Sequence, residues 1–153
     1  VASNPPLVSV SIQRKNGVMK DTARNAITTK ELVIHVVDET NVHDVNETAA
    51  NLDADESELS RTTFTIQPSE VIATPGIKEA KIRFECVLHQ HVPIEYEGQT
   101  TADLLIARVV RFHIDRELYE HGRIDARQLA PVSRMAGNSY ATLGELFDVK
   151  RPE

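Results

Sequence analysis

Two stretches constrain this chain more than anything else in it: AKIRFECVLHQHVPIEY at residues 80–96 and TADLLIARVVRFHID at 101–115. Both are dense in β-branched and aliphatic residues, which fit a pleated, half-buried surface. Only EGQT, with Gly98, separates them, and that spacing predicts a hairpin of two long antiparallel strands. This pair is the backbone on which the rest of a sheet must be hung.

Shorter strand signals surround it. LVSVSIQ at 7–13 sets Leu7, Val8, Val10 and Ile12 among serines, the pattern of a half-buried strand, and Pro5-Pro6 fix an extended entry. ELVIHVVDE at 31–39 is a near-continuous β-branched run, expected to be covered on both faces. TFTIQPSEVIATP, interrupted by Pro68 and Pro75, suits edges and corners, and a last short strand is expected at 145–149, stopped by Pro152.

Helical signals are brief. An Asn16-Gly17 turn precedes a helix predicted at about 21–30, and Val42, Val45 and Ala49 stand at helical spacing behind a Thr40 cap. LDADESELSRT is acidic and aperiodic, expected as a solvated loop or a loosely held turn of helix, and residues 115–130 read as loop with a helical turn. About six strands with hairpin-like spacing and two or three short helices predict a mainly β fold: an antiparallel barrel with peripheral α on its outside. Residues 1–153 are expected to form one domain, long enough to bury roughly two thirds of the unfolded surface.

Charge narrows the function. Lys plus Arg total 17 against 23 Asp plus Glu, a formal charge of -6 that repels nucleic-acid phosphates and anionic membranes. No window approaches the ~18 consecutive apolar residues of a membrane span, and the reading is of a soluble, cytoplasmic protein. Cys86, the one cysteine, lies in the apolar-leaning run IRFECVL and is expected to be buried as a small hydrophobe.

The stretch MKDTARNAI at 19–27 carries the first candidate site. Thr22 can cap the helix, with Asp21 favoured near its N-terminus. Arg14, Lys15, Lys20 and Arg24 also lie within about a turn of unsatisfied amides, and such an end binds phosphate. Asp21 is then better placed to orient Lys20 or Arg24 than to meet the anion. A lone Gly17 is neither a Walker loop nor a GxGxxG, so a phosphate here belongs to a ligand held differently.

Other candidates are weaker. His89 and His91 stand at i and i+2 with Glu95 beyond, the opening of a cupin-like metal site, although the glycines and downstream His of that pattern are absent. His35 and His113 lie in apolar strands, where core or interface histidines are the default. There is no GxSxG elbow, so a cofactor would have to supply the reactivity of an enzyme. Arg134, Gly137 and Tyr140 fall in a loop of small residues, either a tight corner or a platform for a flat anionic cofactor.

SNPPLVSVSI, KDTARN opening a helix, NETAAN, PSEVIATPGIKEAKIRFEC and LAPVSRMAGNSYATLGELFDVKRP occur in one order over nearly the whole chain. In these the sequence resembles the flavin reductase-like, FMN-binding split-barrel family. The resemblance implies an antiparallel split β-barrel and noncovalent FMN near the interface of a homodimer. It also implies hydride transfer from NADH or NADPH to FMN, with free flavin or a partner oxygenase as electron acceptor. It puts Ser3 and Asn4 near the flavin, Lys20, Asp21, Thr22 and Asn25 at the phosphate end, and Arg134, Gly137 and Tyr140 in a C-terminal loop by the cofactor. Departures are Ala107-Arg108 where many relatives have Gly-Glu, and Ala136 for the first Gly of a frequent pair. Relatives also carry an N-terminal segment with further strands, so the chain is expected to be the later part of a longer protein. The alternatives are a flavin-binding member without turnover and a metal-binding barrel using His89 and His91.

Overall fold

The computed structural model describes residues 1–50, 52 and 56–152. The chain opens with β1 (Ala2–Ser3), β2 (Pro6–Gln13), α1 (Asp21–Thr29), β3 (Glu31–His35) and α2 (Val42–Glu47). Two short strands, β4 (Ile66–Gln67) and β5 (Gly76–Ile77), lead into β6 (Ile82–Tyr96) and β7 (Gln99–Ile114). It ends with β8 (Tyr119–Glu120), β9 (Arg123–Ile124), α3 (Ala126–Leu129), β10 (Ser133–Ala136) and β11 (Ser139–Ala141).

The long hairpin is as the sequence predicts. β6 and β7 pair from Ile82↔Ile114 to Tyr96↔Gln99. Their turn is Glu97-Gly98, both left-handed at φ 50° and 75°, the two-residue geometry that matches the twist of the strands. The register shifts between Glu85 and Cys86, Leu88 and Gln90, and Ile94 and Glu95. Bulges of this kind bend the strands and raise the local twist, so the pair curls. β2 lies antiparallel on β7, from Leu7↔Arg108 to Gln13↔Ala102, and β3 on β6, from Glu31↔Val87 to His35↔Arg83. The resulting order is β1-β2-β7-β6-β3.

Two small clusters form the core and share Phe84. Ile82, Leu118 and Leu129 pack with Val36 and Ile114; Cys86, Ala107 and Val109 pack with Val8, Leu32 and Ile34. Phe84 meets Phe112 edge to face, ring centres 5.1 Å apart. The alanines on β7 let neighbouring elements approach closely, and buried aliphatic area of this sort contributes about 25 cal/mol per Å².

β3 is an edge strand, half-buried along its length: Leu32 and Ile34 pack on the core, while Glu31, Val33 and His35 meet the loop that crosses the other face. Three expectations are corrected. Thr40 does not cap α2: its amide and hydroxyl bond to Oδ1 of buried Asp38, and Asn41 holds the cap position. Residues 145–149 form no strand; the C-terminal hairpin is β10–β11, because the turn chemistry lies at Gly137-Asn138. The stretch 115–130 carries, besides its helical turns, a hairpin β8–β9 around left-handed His121-Gly122. In the acidic stretch a single 3-10 turn spans Glu58–Arg61, while Asn51, which ends NETAAN, and Asp53, Ala54 and Asp55 lie outside the described residues.

Candidate functional site

α1 starts without a side-chain cap. Its N-cap position is Lys20, extended at φ -72°, and the first intrahelical bond runs from the Arg24 amide to the Lys20 carbonyl at 3.0 Å. Thr22, expected as the cap, sits one residue inside the helix. The amides of Asp21 and Thr22 therefore have no helical partner, and the helix dipole makes that end attractive to anions.

The turn before it is tight: Lys15 and Val18 exchange backbone bonds of 3.1 and 3.0 Å across Asn16 (φ 52°) and Gly17 (φ 76°). Opposite this turn the chain leaving α2 passes close by. A cleft of about 580 Å³ results, with Lys15, Lys20 and Thr22 on one wall and Thr48, Ala49 and Ala50 on the other. KDTARN and NETAAN, far apart in sequence, face each other across it.

The expected cations divide. Arg24 is taken by Asp21, 2.9 Å away, as anticipated for that carboxylate. Arg14 is taken by Asp103. Lys20 has no ion-pair partner among the described residues and lines the cleft. Asn25 is exposed one turn further on and does not line it.

A second cleft, about 500 Å³, lies on another side of α2, lined by Val42, His43, Asn46, Asn138 and Tyr140. Arg134 and Tyr140 are cross-strand partners in β10–β11. The Arg134 guanidinium donates to the Gly137 carbonyl at 3.2 Å, and the Tyr140 hydroxyl donates to Oδ1 of Asn46 at 3.3 Å. The small-residue loop is thus an ordered hairpin tied to α2, and the chain leaving that helix lines the first cleft. Asp44, on the same helix, accepts from the Thr63 amide at 3.2 Å and so anchors it.

Ser3 and Asn4 are elsewhere. Ser3 ends β1 and Asn4 opens the turn into β2, both separated from Arg14 by the eight residues of β2, about 26 Å of extended strand. The fold sets Lys20 and Thr22 opposite the chain leaving α2 and ties Tyr140 to α2 itself, and it leaves Ser3 and Asn4 at the opposite end of β2.

His43, Asn46, Thr48 and Asp103 were not singled out from the sequence. For Thr48 the available signal was NETAAN itself; for Asp103 it was a carboxylate within an otherwise aliphatic strand. Asp103 has no exposed surface, and its carboxyl is held low by Arg14, against the upward push of burial, with help from His91.

His91 and His35 are engaged within the sheet. His91 Nε2 lies 2.8 Å from Asp103, while His89 is the extra residue of the bulge between Leu88 and Gln90 and is exposed, so the two do not repeat as an ordinary i, i+2 pair. No cluster of three ligating side chains occurs among the described residues. His35 accepts the Ile77 amide at 3.0 Å, and burial, with the charge of Arg83, pushes its pKa down to about 4. Cys86 is buried, which pushes its thiol up to about 11 and makes it a poor nucleophile.

Comparison with known proteins bears on this arrangement. The model of the flavin reductase like domain family matches residues 1–130. The uncharacterized protein YwrF of Bacillus subtilis is 53% identical over 99% of this chain and 76% of its own length. The crystal structure of nitrilotriacetate monooxygenase component B from Bacillus cereus is 55% identical and superposes with a TM-score of 0.94, over 97% of this chain and 74% of that one. A Shewanella frigidimarina protein, assigned as a flavin reductase with a split barrel domain, superposes with a TM-score of 0.87 at 22% identity, over 99% of this chain and 74% of that one. At that identity the likeness speaks for the fold: a mainly β antiparallel split barrel. No helix among the described residues is long and apolar enough to cross a membrane.

Proposed function

The chain belongs to the flavin reductase like domain family, and on that premise we propose that it is an NAD(P)H-dependent flavin reductase, binding FMN noncovalently and working as a homodimer. The observation that carries the proposal is the cleft between Lys20–Thr22 and Thr48–Ala50. An uncapped helix end, a lysine without an ion pair among the described residues and a hydroxyl on one wall fit a phosphate monoester better than a nucleobase or a metal.

In this reading Lys20 and Thr22, with the first amides of α1, hold the phosphate. Asp21 orients Arg24 at its margin, and Asn25 flanks the same end. Tyr140, which meets α2 beside the second cleft, and Arg134 and Gly137 of the same hairpin serve the flavin end, as do Ser3 and Asn4. Because these last two lie across β2 from the phosphate cleft, their part is best met in a dimer, by the other copy. FMN supplies the hydride-accepting chemistry; the protein's task is to bind it, orient it and keep the nicotinamide stacked against it. A positive group near reduced flavin stabilises the charge it gains, and Arg134 is the residue assigned to that role.

The likeness to a monooxygenase component B supports delivery of electrons to a partner oxygenase, with free flavin as the other acceptor. The same proposal takes residues 1–153 as one domain and puts the protein in the cytoplasm, where the nicotinamide donor is available.

The test is an FMN titration followed by flavin fluorescence, then NADH and NADPH oxidation. The double substitution Lys20→Ala, Thr22→Ala is expected to weaken FMN binding by about 1–3 kcal/mol through loss of charge-assisted bonds. Equal affinity in that variant would return the stretch to a purely structural role. Tight FMN binding without NAD(P)H oxidation would make the protein a flavin carrier.

A further inference from the structure

Asp103 sits in the middle strand region of the sheet, opposite Ile12 on β2 and Pro93 on β6, with no exposed surface. A carboxylate there is costly unless its lone pairs are met by donors. They are. Oδ2 accepts from Arg14 Nε at 2.9 Å, and Oδ1 accepts from Arg14 Nη2 and from His91 Nε2, each at 2.8 Å. The two parallel bonds from Arg14 are the fork geometry that only a guanidinium supplies.

The third guanidinium nitrogen, outside the fork, reaches the turn that follows β2. Arg14 Nη1 donates to the Gly17 carbonyl at 3.5 Å, and the Arg14 amide donates to Thr101 at 2.8 Å. Gly17 lies in the Lys15–Val18 turn, of which Lys15, Asn16 and Val18 line the cleft beside Lys20. One guanidinium thus bridges a buried carboxylate and the lip of the cleft.

We infer that Asp103 is a positioning residue for the phosphate end: through Arg14 it fixes the Lys15–Val18 turn, and with it the approach of Lys20 to an anion. This rests on the reading that the cleft receives the phosphate of FMN. A purely structural Asp103 would affect all ligands alike, whereas a positioning Asp103 discriminates between FMN and riboflavin, which differ in the phosphate alone.

The experiment measures the Kd of FMN and of riboflavin by flavin fluorescence for the intact protein and for Asp103→Asn, Arg14→Lys and Lys20→Ala. Asp103→Asn is expected to weaken FMN about tenfold, the scale of one lost charge-assisted contact, and to leave riboflavin unchanged. Arg14→Lys keeps the charge but loses the fork, and is expected to show the same selective loss; it decides the matter if Asp103→Asn fails to fold. If Lys20→Ala is selective for FMN while the Asp103 and Arg14 variants shift both flavins equally or neither, the positioning role is overturned and the cleft stands. If Lys20→Ala itself shows no preference, the phosphate reading of the cleft fails, and the role of Asp103 with it.

Discussion

Nε2 of His113 lies 2.6 Å from Oε1 of Glu85, and that buried carboxylate also accepts the amides of Glu70 and Val71, each at 2.8 Å. Glu85 on β6 therefore pins the loop that crosses the sheet. Glu31 on the edge strand takes the amides of Ala73 and Thr74, each at 2.9 Å, and His35 takes that of Ile77. Five backbone donors of one segment are met by three side-chain acceptors in place of a neighbouring strand.

Glu85→Gln should be destabilising, because the amide group turns a donor toward a backbone N–H or toward His113. Leaving one buried donor unmet costs roughly 1–3 kcal/mol. Urea unfolding should show a lower midpoint at unchanged slope; a midpoint equal to that of the parent protein would remove the pinning role.

His35 makes the same loop sensitive to acid. Its folded pKa of about 4 lies below the ordinary histidine value, from burial first and the Arg83 charge second. A depressed pKa means that the neutral ring is favoured on folding. Its stabilisation is fully present above about pH 6.5 and is lost as the pH falls through about 4, up to about 3 kcal/mol. Glu85 and Asp103, both held below the ordinary carboxylate range, add losses of the same sign further into acid. His35→Gln retains an acceptor for Ile77 without a titrating ring, so its stability should vary less than that of the parent between pH 6.5 and 4.

Gly76 brings β5 against β3 and β6. A Cβ there would lie 3.1 Å from Arg83 Cδ, 3.2 Å from His35 Nε2 and 3.3 Å from Val33 Cγ1. His35 is fixed by its bond from Ile77, so it gives way poorly. Gly76→Ala should cost about 1–2 kcal/mol by overpacking, read as a fall in Tm; an unchanged Tm would show that the loop lifts freely.

Glu97 occupies a left-handed position, φ 50°, in the turn between the two longest strands. Asn tolerates that region better than Glu. Glu97→Asn should therefore stabilise the protein by ~0.5–1 kcal/mol, measured by chemical unfolding.

The long hairpin was legible because its signal is local: two apolar runs and a turn with Gly98. So were α1 and the Asn16-Gly17 turn. What could not be read concerns residues whose role depends on a partner distant in sequence. ELVIH reads as covered on both faces because its apolar run is continuous, but only the fold shows that the second cover is a loop held through Glu31 and His35. The cations around α1 were visible as a set, but only the fold shows that Asp103, 89 residues from Arg14, removes one of them. The bulge that sets His89 out of phase with its neighbours likewise leaves no mark in the local sequence.

Asp21 presents a trade that measurement can separate. Its carboxylate lies in the first turn of α1, where it suits the helix dipole, and it holds Arg24 at 2.9 Å, with both side chains about half exposed. The same negative charge lines the cleft beside Lys20, where, on the proposed reading of the cleft, it opposes an incoming phosphate. Asp21→Asn should lower helix stability by about 0.3–1 kcal/mol. It should also tighten FMN binding several-fold at low salt, since it removes a repulsive charge beside Lys20, with the gain shrinking as ionic strength rises. Riboflavin affinity should not move. Weaker FMN binding in this variant would mean that Asp21 contributes to holding the ligand and is not a counterweight at the mouth of the cleft.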